Sequence, residues 1–237
     1  LVANAIENKG TIEVPMGTVA LAAGDVVSIG ISPDGMVSIA VDEATANTMG
    51  LSDQIKNSGT ISAQGGRVVL DAKAIDGLFD KAINLTAEPN AVSVVKSDDG
   101  VIEFVANGDI LNEGTLQAER GSIAIETTGN VETRGILKAE NVVERGATFR
   151  LGGIVEVGHA FMENLDGAAT FTTGSYLGTY EDAGDIIIDN NAVITLTGNT
   201  TFWADSDPTT HAHDGQGVFT MSTGSSIAGG SYNLTLY

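Results

Sequence analysis

Ile55-Lys56-Asn57-Ser58-Gly59-Thr60-Ile61-Ser62-Ala63-Gln64-Gly65-Gly66-Arg67-Val68-Val69-Leu70 decides the fold. Gly-Thr-Ile-x-Ala and Gly-x-Val-x-Leu both alternate apolar with other residues, so each reads as a strand of about five residues. Asn-x-Gly and Gly-Gly punctuate them as turn signals, where Asn and Gly can adopt positive φ. The same pattern opens at Asn8 and Gly10, and again at Asn112 and Gly114. A degenerate copy occupies residues 133–139, 21 residues after the third. Seven residues after Gly10, Gly59 and Gly114 stands another glycine, Gly17, Gly66 or Gly121, each opening a second short strand.

A circuit of about 20 residues with three short strands cannot bury its inward side chains alone, but stacked circuits can. The pattern therefore predicts an all-β, right-handed parallel β-helix. About ten coils rising about 4.8 Å each would make a rod of about 50 Å. The expected inward residues are Ile12, Val14, Val19, Leu21, Ile61, Ala63, Val68, Leu70, Leu116, Ala118, Ile123 and Ile125. Asn8, Asn57 and Asn112 fall on equivalent corners, where side-chain amides can bond from coil to coil. Residues 26–31 and 36–41, around the turn Ser32-Pro33-Asp34-Gly35, read as strands of an additional coil. Residues 92–95 and 101–105 do the same around Ser97-Asp98-Asp99-Gly100. Residues 42–56 lack alternation, and Ile75, Leu78, Phe79 and Ile83 recur at helical spacing, so two short helical excursions are expected, at 42–56 and 72–84.

Composition narrows the function. The 237 residues include no cysteine, which excludes disulfides, Cys-ligated metals and thiol catalysis. With 31 acidic against 11 basic residues, the net charge of -20 excludes nucleic-acid or membrane-surface binding through a basic patch. No apolar run is long enough to span a membrane as a helix. Every Lys and Arg lies between Lys9 and Arg150; the residues beyond carry ten acids and no base. Two continuous repeat regions are expected, 1–150 and an acidic, Gly/Thr/Asn-rich 151–237. Because the chain begins at Leu1, it reads as a processed product or a slice of a longer protein.

Three stretches carry a family likeness: Ala22-Ala23-Gly24-Asp25-Val26-Val27, residues 34–43, and Ile55 through Ala74. They resemble the filamentous haemagglutinin family of secreted bacterial exoproteins, closely over residues 1–85 and more loosely over 100–145. The resemblance implies a right-handed parallel β-helix and export through an outer-membrane transporter partner. It also implies display at the bacterial cell surface or release, in a Gram-negative setting. An adhesive or filamentous role would follow, with coaxial self-association or continuation of a longer β-helix, and a host or cell-surface glycan or protein as receptor.

The residues offer little chemistry of their own. Asp205, Asp207, His211, His213 and Asp214 form the one constellation suited to a metal, with calcium the cation for its oxygens and zinc for its histidines. No calcium-loop pattern is matched, and a solvated acidic loop is the simpler reading. Glu103, Asp109, Glu119, Glu126, Glu132, Glu140 and Glu144 could serve a polysaccharide-active enzyme only by converging on one face. They are expected on outward positions beside Lys and Arg, as a solvated mixed-charge surface. No nucleophile elbow, P-loop or dinucleotide fingerprint appears. Asn84, Asn199 and Asn233 head Asn-x-Thr sequons. A non-enzymatic structural or adhesive segment without a cofactor is the expected function. The alternatives are a β-helical polysaccharide enzyme and a calcium-dependent binding module.

Overall fold

A computed structural model of the chain describes residues 1–31, 37–88, 91–165, 167–206, 215 and 217–237. The strands run β1 (Val2–Ala3), β2 (Ile6–Asn8), β3 (Thr11–Glu13), β4 (Thr18–Ala23), β5 (Val26–Ile31) and β6 (Val37–Glu43). Next come β7 (Asp53–Asn57), β8 (Thr60–Ser62), β9 (Arg67–Ala72), β10 (Lys81–Leu85), β11 (Ala87–Glu88), β12 (Ala91–Val92), β13 (Val94–Lys96) and β14 (Val101–Ala106). Then follow β15 (Ile110–Asn112), β16 (Thr115–Thr127), β17 (Val131–Thr133), β18 (Ile136–Gly146), β19 (Phe149–Asn164) and β20 (Ala169–Asp182). The last are β21 (Ile186–Ile188), β22 (Val193–Trp203), β23 (Phe219–Met221), β24 (Ser226–Ala228) and β25 (Leu234–Leu236).

All but four of these strands join one 21-stranded sheet, wrapped on itself as a parallel β-helix. Three faces are traced by parallel ladders. The first passes through Ile6, Ile55, Ile83, Ile110, Val131, Phe149, Ala169, Ile186 and Phe219, one residue per coil. These nine positions set nine coils among the described residues, about 40 Å of stack at about 4.8 Å per coil. The second face passes through Ile12, Ile61, Val95, Leu116, Leu137, Val155 and Tyr176. The third passes through Val19, Val68, Ile102, Ile123, Val142, Ala160, Tyr180 and Phe202. The long strands β16, β18, β19, β20 and β22 bend through corners and serve two or three faces. The ladder passes through Arg150, which pairs with Glu132 of β17 on one side and Thr170 of β20 on the other.

The core is a narrow column inside the coils. It is aliphatic in the early coils and aromatic in the later ones. Phe171 packs edge-on against Tyr176, Tyr180 and Phe202, with ring centroids 5.5, 5.2 and 4.8 Å away. Buried tyrosines need partners for their hydroxyls. Tyr176 Oη reaches Leu151 O at 2.6 Å and Tyr180 Oη reaches Val155 O at 2.8 Å. The expected inward residues are buried except Ile12, which is half-buried, and Val14, which is exposed. Ile12 lies in β3 and Val14 just after it, and β3 pairs with β8 alone.

Two sequence expectations are corrected. Residues 26–31 and 37–41 do not form a coil. They make an antiparallel hairpin of β5 on β6, with Ile29 opposite Ile39, outside the stack. The hairpin is pinned to the rod at Val41, whose N–H donates to Asp71 Oδ2 at 2.8 Å and whose carbonyl accepts from Lys73 Nζ at 2.6 Å. The turn Ser32-Pro33-Asp34-Gly35 lies outside the described residues. The expected helices at 42–56 and 72–84 are also absent. Thr45 bridges Ala74 in parallel, and residues 53–57 and 81–85 are the strands β7 and β10. Met49, Gly50 and Gly77, all at positive φ, break both segments into turns. Such pieces are too short to nucleate a helix against the hydrogen-bonding edge of the neighbouring coil.

Candidate functional site: corner ladders, outer charges and buried acids

The motif residues converge on two corners. Asn8 Nδ2 donates to Asn57 Oδ1 at 2.7 Å, and Asn57 Nδ2 donates to Ser93 Oγ at 2.7 Å and Gly59 O at 3.0 Å. Asn112 stands two coils beyond Asn57, because Leu85 occupies the intervening register position. Its Nδ2 donates instead to Ile136 O at 3.1 Å. The amide contacts therefore link three successive coils and stop at Leu85.

The glycines have a different role from the turn signal read in the sequence. Gly10, Gly59 and Gly114, like Gly17, Gly66 and Gly121, are not among the positive-φ residues; Met16 and Gly65 take that conformation one position earlier. What demands glycine is the neighbouring coil. A Cβ on Gly59 would run into Gly10 O, on Gly135 into Gly114 O, on Gly153 into Gly135 O, and on Gly174 into Gly153 O. A second series stacks Gly66 on Gly17, Gly100 on Gly66 and Gly121 on Gly100 in the same way. Each glycine lets one backbone corner rest on the carbonyl of the corner before it.

The outer faces carry paired charges. Lys81 meets Asp109 at 3.0 Å, Arg134 meets Glu132 at 2.9 Å and Glu113 at 3.1 Å, and Arg150 meets Asp189 at 3.0 Å. Lys138 meets Glu156 at 2.6 Å and Arg145 meets Glu163 at 2.7 Å, while Arg67 pairs with Glu103. Burial pushes the Asp109 carboxyl up, but bonds from Asn130 N and Lys81 outweigh it and hold the group below its usual range. Shallow depressions of about 270 to 290 Å³ lie between such pairs, one lined by Lys81, Asp109, Asn130, Glu132, Thr148 and Arg150.

Glu144 departs from the outward placement read in the sequence. It points into the core, 2% exposed, in register with Ile125 and Met162. Asp182, fully buried, is the next residue in that column after Met162. Beside it, buried Glu181 forms a hydrogen bond with His159 Nε2 at 2.7 Å and accepts from Ser206 Oγ. Sequence reading missed Asp182 and Glu181. Their one signal is Tyr180-Glu181-Asp182, where alternation around a core tyrosine forces an acid toward a buried position.

Of the metal candidates, Asp205 is described: its Oδ2 accepts from Gly215 N at 2.9 Å, and its backbone sits at φ 57°. Asp207, His211, His213 and Asp214 lie outside the described residues. Among the described residues no group of three or more potential metal ligands comes together. Comparison with family models, with curated proteins and with solved structures finds no match for this chain.

Proposed function

We propose that this chain is a structural segment of a secreted, surface-exposed bacterial filament or adhesin, similar to the filamentous haemagglutinin exoproteins. The observation that carries the reading is the stack itself. Three parallel ladders and one core column run through nine coils, so the molecule resists bending as a single body. The paired charges and net acidity of the outer faces keep such a rod soluble and limit lateral clumping.

Coaxial stacking is part of the proposal. The last coil, β23 to β25, presents parallel strand edges, and Gly217 through Tyr237 contain no charged residue. Met221, Leu234, Leu236 and Tyr237 are exposed there. Charge is the usual device that keeps a strand edge from pairing with another chain, and its absence suits this edge to a further coil, from a second copy or from a continuing β-helix. A head-to-tail contact of this kind does not close and makes a filament. Export through an outer-membrane transporter and recognition of a surface glycan or protein belong to the same reading and rest on the family resemblance.

Negative-stain microscopy and sedimentation of the purified chain at rising concentration test it. Rods lengthening in multiples of about 40 Å support stacking, from about 4.8 Å per coil. Isolated particles at every concentration refute it. Release of reducing ends from a polysaccharide panel would refute the non-enzymatic reading.

A further inference from the structure

One column of the third face changes character along the rod. Leu21, Leu70, Phe104 and Ile125 fill it in the early coils, each stacked on the last. Glu144, Met162 and Asp182 continue it, in strict register and still pointing inward. Two carboxyls thus stand where the repeat calls for hydrocarbon, one on either side of a buried methionine.

Among the described residues neither has a countercharge. Among the described residues Glu144 has no hydrogen-bond partner, and Asp182 is the charged group acting on it. Asp182 Oδ1 accepts from Asn164 Nδ2 and Gly184 N, both at 2.7 Å, while its Oδ2 is buried without a partner. The charged group acting on Asp182 is another acid, Asp185. Arg145, His159 and Glu181 belong to the same strands but pair with Glu163 and with each other instead. An ionised carboxylate in such a place is strongly disfavoured, and a protonated one is tolerated.

We propose that Glu144 and Asp182 form a proton-loaded joint, which keeps the coils of β18, β19 and β20 closely packed while both acids are neutral and loosens them when they ionise. The rod is then tightest in mildly acidic surroundings and weakest, at this one place, in alkaline ones. Burial raises both groups to about 7, with Asp182 adding to the rise at Glu144. Both folded values exceed the unfolded ones. The unfolded chain therefore releases these protons first, and stability falls as pH rises from about 4 to about 7.

The test compares the wild-type chain with Glu144→Gln and Asp182→Asn. Each amide removes a proton-binding site at nearly constant volume. Wild-type Tm should fall between pH 4.5 and pH 7.5, and each variant should fall less, ending several degrees above wild type at the higher pH. The net charge of -20 also weakens the fold as pH rises, but nearly equally in all three proteins, which differ by one charge, so the difference between the curves is the readout. In wild type, carboxyl carbon shifts should show two inward acids titrating near neutrality. Hydrogen exchange at residues 142–146, 160–163 and 180–184 should quicken above that pH, after correction for intrinsic rates. Parallel Tm curves, or carboxyl midpoints in the ordinary range, overturn the proposal. So does calcium at pH 7.5, if it raises the wild-type Tm but not that of Glu144→Gln, since the pair would then be cation ligands. The carboxyl titration uses unaltered protein, so a variant that fails to fold leaves the proposal open to refutation.

Discussion

Gly135→Ala isolates the contact on which the corner stacking depends. A Cβ at this position would press on Gly114 O and lie 2.6 Å from Glu113 O and from Glu113 C. An ordinary carbon–oxygen contact is about 3.3 Å or longer. The coil must therefore retreat by at least about 0.7 Å, in a stack whose spacing is fixed at about 4.8 Å by hydrogen bonds. One of those bonds, Ile136 N to Gly114 O at 2.8 Å, runs beside the clash. Overpacking costs about 1 to 3 kcal/mol and the weakened bond about 1 more. The stiffer unfolded chain offsets about 0.4 to 1 kcal/mol. A net loss of about 1 to 3.5 kcal/mol is expected. Gly10→Ala is the internal control, because the nearest atom to its Cβ would be Asn8 Oδ1 at 3.9 Å. That variant should be neutral or slightly stabilised. Urea unfolding followed by circular dichroism measures both, read as midpoint shifts with unchanged slope. Equal effects at the two positions, within about 0.5 kcal/mol, would refute the assignment of these glycines to close approach.

Three further outcomes are expected. Phe171→Ala should lower stability by about 3 to 5 kcal/mol, since it empties the centre of the aromatic column; calorimetry of wild type and variant would measure this. Asn57→Ala should cost about 2 to 3 kcal/mol, because Asn57 bonds Asn8, Gly59 and Ser93; Asn112→Ala, which loses one bond, should cost about 1, as read from paired denaturation curves. Arg134→Ala should cost no more than about 1 kcal/mol despite its two carboxylate partners, and less in high salt, as found by repeating the melt with added sodium chloride.

How far the chain could be read depended on how local each determinant was. Gly59-Thr60-Ile61 and Gly66-Arg67-Val68 declare strands and corners within a few residues, so nearly all the inward positions named from alternation are buried. The hairpin of β5 and β6 departs from the expected coil because alternation is the same for a coil strand and a hairpin strand. What separates them is whether the partner is the next coil or the returning chain. Ile75, Leu78 and Phe79 mimic a helix face, but the edge of the adjacent coil supplies hydrogen bonds that the isolated segment lacks. The sequence places Glu144 outward beside Arg145, but Val142-Val143-Glu144 offers a valine to either side, so alternation alone does not fix which way the acid points. Pairing with Ile123 and Ile125 sends Val142, and therefore Glu144, inward.

By itself the sequence determined that the chain coils on itself. Period two, repeated corners and a repeat too short to bury its own core admit no other economical solution. The tertiary structure alone decided why the corner residues must be glycine, since that requirement comes from a carbonyl in another coil. It also decided where the amide ladder stops and which acids lie inside. A single strand cannot reveal these things, because each is set by what the coil above and the coil below place at the same register.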